Sequence, residues 1–161
     1  MRTLLFRHAE KENVVALDPA LSAKGHKQAA KISEMIGKEA LPTPTRLISS
    51  PKLRARQTLE KISRDLALEI QILPELNERQ AAETEEQFGR RVKQCLLKIE
   101  AMTGVAFCVT HLDWIEEALI KIQSDTDLLE AQFQYWPPAQ SMEFEIHDGM
   151  WSLRKFRSIE I

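Results

Sequence analysis

"LLFRHAEKEN", residues 4–13, sets the reading of this chain. Leu4, Leu5 and Phe6 read as the end of a buried strand, and Arg7 and His8 follow with no gap. A cation and an imidazole at the lip of a core need partners, and the rest of the sequence offers them.

Outward from that stretch, strand and helix patterns alternate. Strand-like runs fall at 2–7, 46–49, 70–73 and 105–110, and helical patterns at 23–38, 51–66, 84–102 and after His111. Two more strand-like runs, 142–147 and 151–156, follow the chain-breaking "YWPPAQS" (135–141) and flank a hairpin turn, "HDG" (147–149). This order predicts an α/β fold: a three-layer α/β/α sandwich with a mostly parallel six-stranded sheet and helices on both faces. Ser22 is placed to cap the first helix. Ser50-Pro51 reads as a cap followed by proline at the first position of the second.

At 161 residues the chain predicts a single domain over 1–161. A net charge of −2, from 22 basic and 24 acidic residues, sets up no global field to recruit nucleic acid or a membrane surface. Any affinity for phosphate must come from a local cluster. Cys95 and Cys108 lack metal-ligand spacing and read as reduced core thiols. With no leader pattern and no apolar run long enough to span a bilayer, the expected location is the cytoplasm.

Parallel strands followed by helices place ligand chemistry at the strands' carboxyl ends. Arg7 and His8 end the first strand, and "SSPKLRARQT" (49–58) puts Arg54 early in the helix after the second. "LPELNER" (73–79) offers Glu78 after the third, and "VTHLDW" (109–114) offers His111 after the fourth. Alone, each has an ordinary explanation as a surface or core residue. Together they line one sheet edge with two guanidiniums and two imidazoles, which suits a phosphoryl dianion. Arg54 and Arg56 lie about 200° apart on a helix of 3.6 residues per turn, so only one, taken as Arg54, faces that edge.

Arg7-His8, "LSAKGHKQA" (21–29), "SSPKLRARQT", "LNER", "VTH" and the closing "PPAQSMEFEIHDGMWSL" resemble the histidine phosphatase (phosphoglycerate mutase-like) superfamily. The short chain is most similar to its compact, SixA-type phosphohistidine phosphatase branch. The resemblance implies a phosphatase with His8 as the nucleophile that accepts the phosphoryl group. It implies oxygen binding by Arg7, Arg54 and His111, with Asn13 as a further contact, and Glu78 as general acid. The near absence of an insertion after Glu78 implies a shallow, open pocket. The implied partner is a phosphorylated substrate, either a protein phosphohistidine or a small phosphomonoester.

Two positions depart from the family pattern. Ala9 stands where the motif has glycine, and Asn13 is one residue out of register. A methyl group at position 9 costs roughly 1–2 kcal/mol if the backbone there needs positive φ. The N–H of residue 9 is expected to remain available to a phosphoryl oxygen.

The residue types give a chemistry of their own. A phosphate dianion repels anionic nucleophiles, so a neutral imidazole is a suitable attacker. Its tautomer is set if the other ring nitrogen donates to a backbone carbonyl. Two neighbouring arginines lower its pKa and stabilise the equatorial oxygens, so no metal or other cofactor is called for. A phosphate- or phosphohistidine-binding module without turnover is the alternative, and a mutase is a weaker third reading.

Overall fold

The computed structural model describes residues 1–161. Strands β1 (Arg2–Arg7), β2 (Arg46–Ser49), β3 (Ile70–Ile72) and β4 (Val105–Thr110) alternate with helices α1 (Ala23–Gly37), α2 (Leu53–Leu66), α3 (Glu85–Glu100) and α4 (Leu112–Lys121). Strands β5 (Ser141–His147) and β6 (Met150–Arg157) close the chain.

The six strands form one sheet in the order β3-β2-β4-β1-β5-β6. β1 pairs with β4, and β2 with β3 and β4, in parallel. β5 is antiparallel to β1, and β6 to β5. The sheet is therefore mixed, which corrects the expected mostly parallel one. The reason lies in residues 122–140, which hold no crossover helix. They return the chain to the carboxyl end of β1, where Ala139 N–H donates to His8 O and Arg7 N–H to Gln140 O. β5 starts where β1 finishes, with Ser141 opposite Phe6, so it must run the other way. The Asp148-Gly149 turn, at φ 48° and 75°, then reverses the chain into β6.

Neighbouring residues of a strand point to opposite faces. Leu5, Ile48 and Cys108 accordingly join one buried cluster with Val92 and Leu96 of α3 and Trp114 and Ile115 of α4. Leu4, Phe6, Leu47, Phe107 and Val109 join another, with Ile32 of α1 and Leu59 and Ile62 of α2. Both cysteines are buried free thiols, and burial pushes their pKa values up. No helix is long and apolar enough to cross a membrane.

The register sets the site. Arg7 lies opposite Thr110, and Ser49 opposite Val109, so β1, β2 and β4 stop level with one another. The ladder carries on one residue further: His8 N–H donates to Thr110 O and Ser50 N–H to Val109 O, both at 3.0 Å. His8, Ser50 and His111 are thus the first residues past three adjacent strand ends.

Candidate active site

Arg54 sits at the centre of this edge, its side chain only 6% exposed. Nε–H donates to His8 Nε2 at 3.2 Å, and Nη2–H to His111 Nδ1 at 3.2 Å and to Glu78 Oε2 at 2.8 Å. The two imidazole centroids are 5.4 Å apart. Arg7 donates from Nη1 to Trp136 O at 2.6 Å. A cavity of about 300 Å³ is lined by Arg7, His8, Arg54, Glu78 and His111, with Lys11 at its rim. Asn13 is exposed and does not line it. A concavity of about 700 Å³ between α3 and α4 shares Asp113 with this cavity but contains neither imidazole.

The hydrogen bonds fix the protons. His8 Nδ1 lies 2.7 Å from Ala9 O, an atom that only accepts, so Nδ1 carries the hydrogen and Nε2 keeps its lone pair. Burial, followed by the charges of Arg54, Arg7 and Lys11, lowers the His8 pKa to about 4 against the opposing pull of the Ala9 carbonyl. Burial and the charge of Arg54 lower that of His111 to about 2. Both rings are neutral at pH 7. A neutral, orientated imidazole among guanidiniums can attack phosphorus without repelling its oxygens.

The flanking motif holds the His8 segment by packing and hydrogen bonds. Ser22 caps α1 through Gly25 N–H, and Ser22 N–H donates to Glu10 O. Gln28 Oε1 accepts from Glu10 N–H at 2.8 Å. A Cβ on Gly25 would lie 1.9 Å from Glu10 O, so glycine is required by close approach there.

Position 9 differs from expectation. Ala9 is fully buried, is not among the residues with positive φ, and donates its N–H to Thr58 Oγ1 at 3.0 Å. That donor is committed within the fold rather than free for a phosphoryl oxygen.

The structure also brings in residues that sequence reasoning missed. Ser50, read as a helix cap, lies outside α2, which begins at Leu53 with its N–H taken by the Asp18 carboxylate, and places Oγ 2.6 Å from His111 Nε2. Thr58 holds Ala9 and donates back to Arg54 O at 2.8 Å. Arg91 pins the loop that carries Glu78, with bonds to Glu75 O, Asn77 O and Glu78 O and to both Glu83 carboxylate oxygens. The only signal for Arg91 was its place in "GRRV" (89–92).

The sequence model of the histidine phosphatase superfamily (branch 1) matches residues 3–87, a span that includes Arg7, His8, Arg54 and Glu78. The chain belongs to the histidine phosphatase superfamily. The family match supports phosphomonoester or phosphohistidine hydrolase activity. His111 lies beyond the matched span and is brought to the site by the fold.

Three solved structures illustrate the shared superfamily fold. A variant of the Entamoeba histolytica phosphoserine phosphatase, in complex with phosphoserine, superposes with a TM-score of 0.74 at 19% identity, covering 99% of this chain and 98% of that one. The protein histidine phosphatase SixA, complexed with tungstate, gives 0.72 at 16%, covering 98% and 97%. A candidate α-ribazole-5'-P phosphatase from Escherichia coli gives 0.80 at 19%, covering 100% of both chains. No curated protein matches the chain significantly in sequence.

Proposed function

We propose that the chain, as one three-layered domain over 1–161 acting in the cytoplasm, is a metal-independent phosphatase that works through a phosphohistidine on His8. Its substrate is a protein phosphohistidine or a small phosphomonoester. The observation that carries this reading is the fixed His8 tautomer: Nδ1–H is bound to Ala9 O, and the Nε2 lone pair is held beside Arg54. The lining of the two core clusters by different helix pairs supports the layering.

In the first step Nε2 bonds to phosphorus as the bond to the leaving group breaks, and Glu78, which takes up a proton from solvent once the phosphoryl group displaces it from Arg54, gives that proton to the leaving atom. Arg54 transfers its donors from Nε2 and Glu78 to the phosphoryl oxygens, beside Arg7. In the second step water attacks phosphorus, Glu78 takes its proton, and the P–Nε2 bond breaks to release inorganic phosphate. Positive charge comes from guanidiniums, which fit planar oxygen pairs. No cofactor enters the scheme.

Rapid acid- and base-quench of enzyme turning over a radiolabelled aryl phosphate tests this reading. The label should be trapped on His8 as an acid-labile, base-stable adduct. His8→Ala should trap none and should lose roughly 10³-fold or more in kcat, as losing a nucleophile does. Turnover by His8→Ala within about tenfold of wild type would remove the proposal.

A further inference from the structure

We infer that Ser50 is a positioning residue that holds His111 in the Nε2–H tautomer and so turns an unprotonated Nδ1 toward Arg54. The inference follows from which atoms can donate. Arg54 Nη2 only donates, and it lies 3.2 Å from His111 Nδ1, so Nδ1 must accept. A neutral ring with an accepting Nδ1 has its hydrogen on Nε2, and the partner of Nε2 is Ser50 Oγ, 2.6 Å away. The hydroxyl is therefore the acceptor in that bond. It also accepts from Lys52 N–H at 3.2 Å, which fills its second lone pair. Turning the Ser50 hydroxyl round to donate to Nε2 would move the ring hydrogen to Nδ1, where it would face the Arg54 N–H.

The surroundings hold Ser50 in this pose. Its N–H is tied to Val109 O, its carbonyl accepts from Ser49 Oγ at 2.7 Å, and it is fully buried. The two histidines thus hold opposite tautomers around one guanidinium. His8 is Nδ1–H through a backbone carbonyl, His111 is Nε2–H through a hydroxyl, and each offers Arg54 its remaining lone pair. Arg54 is thereby aimed before substrate arrives, the kind of preorganisation electrostatic catalysis needs. The effect on catalysis rests on the phosphatase reading, whereas the tautomer itself does not.

The test combines imidazole ¹⁵N–¹H correlation spectra at neutral pH with steady-state kinetics on an aryl phosphate, using wild type, Ser50→Ala and Ser50→Thr. Wild-type His111 should show a protonated Nε2 and a bare Nδ1. Ser50→Ala should show His111 mixing in the Nδ1–H form, with kcat/KM down roughly tenfold, as is typical when the outer partner of a working imidazole is lost. Ser50→Thr, which keeps the hydroxyl, should restore the wild-type spectrum and most of the rate. A wild-type His111 protonated on Nδ1 overturns the inference without any variant. An unchanged tautomer in Ser50→Ala overturns it too, whatever the rate does. A wild type with the expected tautomer but no turnover on any phosphate ester or phosphohistidine sinks the phosphatase reading and leaves the Ser50 assignment standing.

Discussion

Two carboxylate–arginine pairs lie in different parts of the sheet and are built in opposite ways. At the strand ends, Arg54 is 6% exposed and its partner Glu78 is 35% exposed. On β5, Glu143 is the buried member at 2%, while its partner Arg2 is 45% exposed and Arg157 approaches from the other side at 3.6 Å. In the first pair the cation is fixed and the anion sits at a cavity mouth, so a phosphoryl dianion can replace it. In the second the anion is fixed between two guanidiniums and has nothing to exchange. The first arrangement suits binding and turnover, and the second ties β1, β5 and β6 together on the antiparallel side of the sheet. Burial of a charge therefore does not mark a site by itself; the exchangeability of its partner does.

The largest effect that could break this contrast concerns Glu78. Expelling an alkoxide needs a proton, whereas aryl oxide and imidazole leave more easily. Glu78→Gln should lower kcat/KM by roughly 10²–10⁴-fold on alkyl phosphates, the usual worth of general acid catalysis. It should cost far less on aryl phosphates or phosphohistidine. A leaving-group series with both proteins is the measurement. A uniform loss, or none, would make Glu78 only a counter-ion like Arg2.

A crossed comparison of the arginines comes next. Arg54→Ala should lower kcat/KM roughly 10²–10³-fold, the scale for losing one transition-state donor, and leave urea stability close to wild type. Arg56→Ala should change the rate little. Arg2→Ala should do the reverse, costing about 2–3 kcal/mol of stability because Glu143 stays buried with only its longer contact to Arg157. Its kcat should be unaffected. If Arg54→Ala and Arg2→Ala lose activity and stability in the same proportion, the distinction between the two pairs fails.

The site histidines add a smaller, pH-dependent cost. Their folded pKa values, about 4 for His8 and about 2 for His111, lie below the usual 6.5. The unfolded chain then binds more protons in acid, so the stability tied to these neutral rings is present above pH 6.5 and lost as pH falls toward 4. His8→Ala should reduce the stability lost between pH 6 and pH 4.5 by ~1.5 kcal/mol, read from urea unfolding at each pH. An equal acid loss in variant and wild type would mean that His8 is not buried neutral.

The strand ends were legible in the sequence because hydrophobic runs mark strands and the residue after each run is easily found. That is enough to gather Arg7, His8, Arg54, Glu78 and His111 in one cavity. The direction of β5 was not legible, since it depends on a return path through residues 122–140 that has no periodic pattern. Ser50, Thr58 and Arg91 were missed or misread for a related reason. Their bonds run to atoms 61, 49 and 8–16 positions away, and such contacts leave no local trace. Ser50 in particular carries a local cap signal, but its hydroxyl serves the ring of His111 as well as the Lys52 N–H ahead of α2.

The smallest predicted effect concerns Ala9, the departure from the family motif. The sequence alone made it a candidate defect: a methyl group where glycine would allow positive φ or close approach to phosphate. The fold removes both grounds. The backbone at Ala9 does not have positive φ, its N–H is bonded to Thr58 Oγ1, and its methyl group packs in the cluster with Leu4, Phe6 and Ala55. Ala9→Gly therefore frees no donor. It removes a buried methyl worth about 0.8 kcal/mol and adds backbone entropy to the unfolded chain worth about 0.4–1 kcal/mol. Stability should fall by roughly 1–2 kcal/mol, while kcat/KM on an aryl phosphate stays within about twofold, since no group facing the cavity changes. A gain of about a hundredfold or more would mean that the methyl group holds the site out of its working geometry. The natural chain would then be better described as a phosphate-binding module than as an efficient phosphatase.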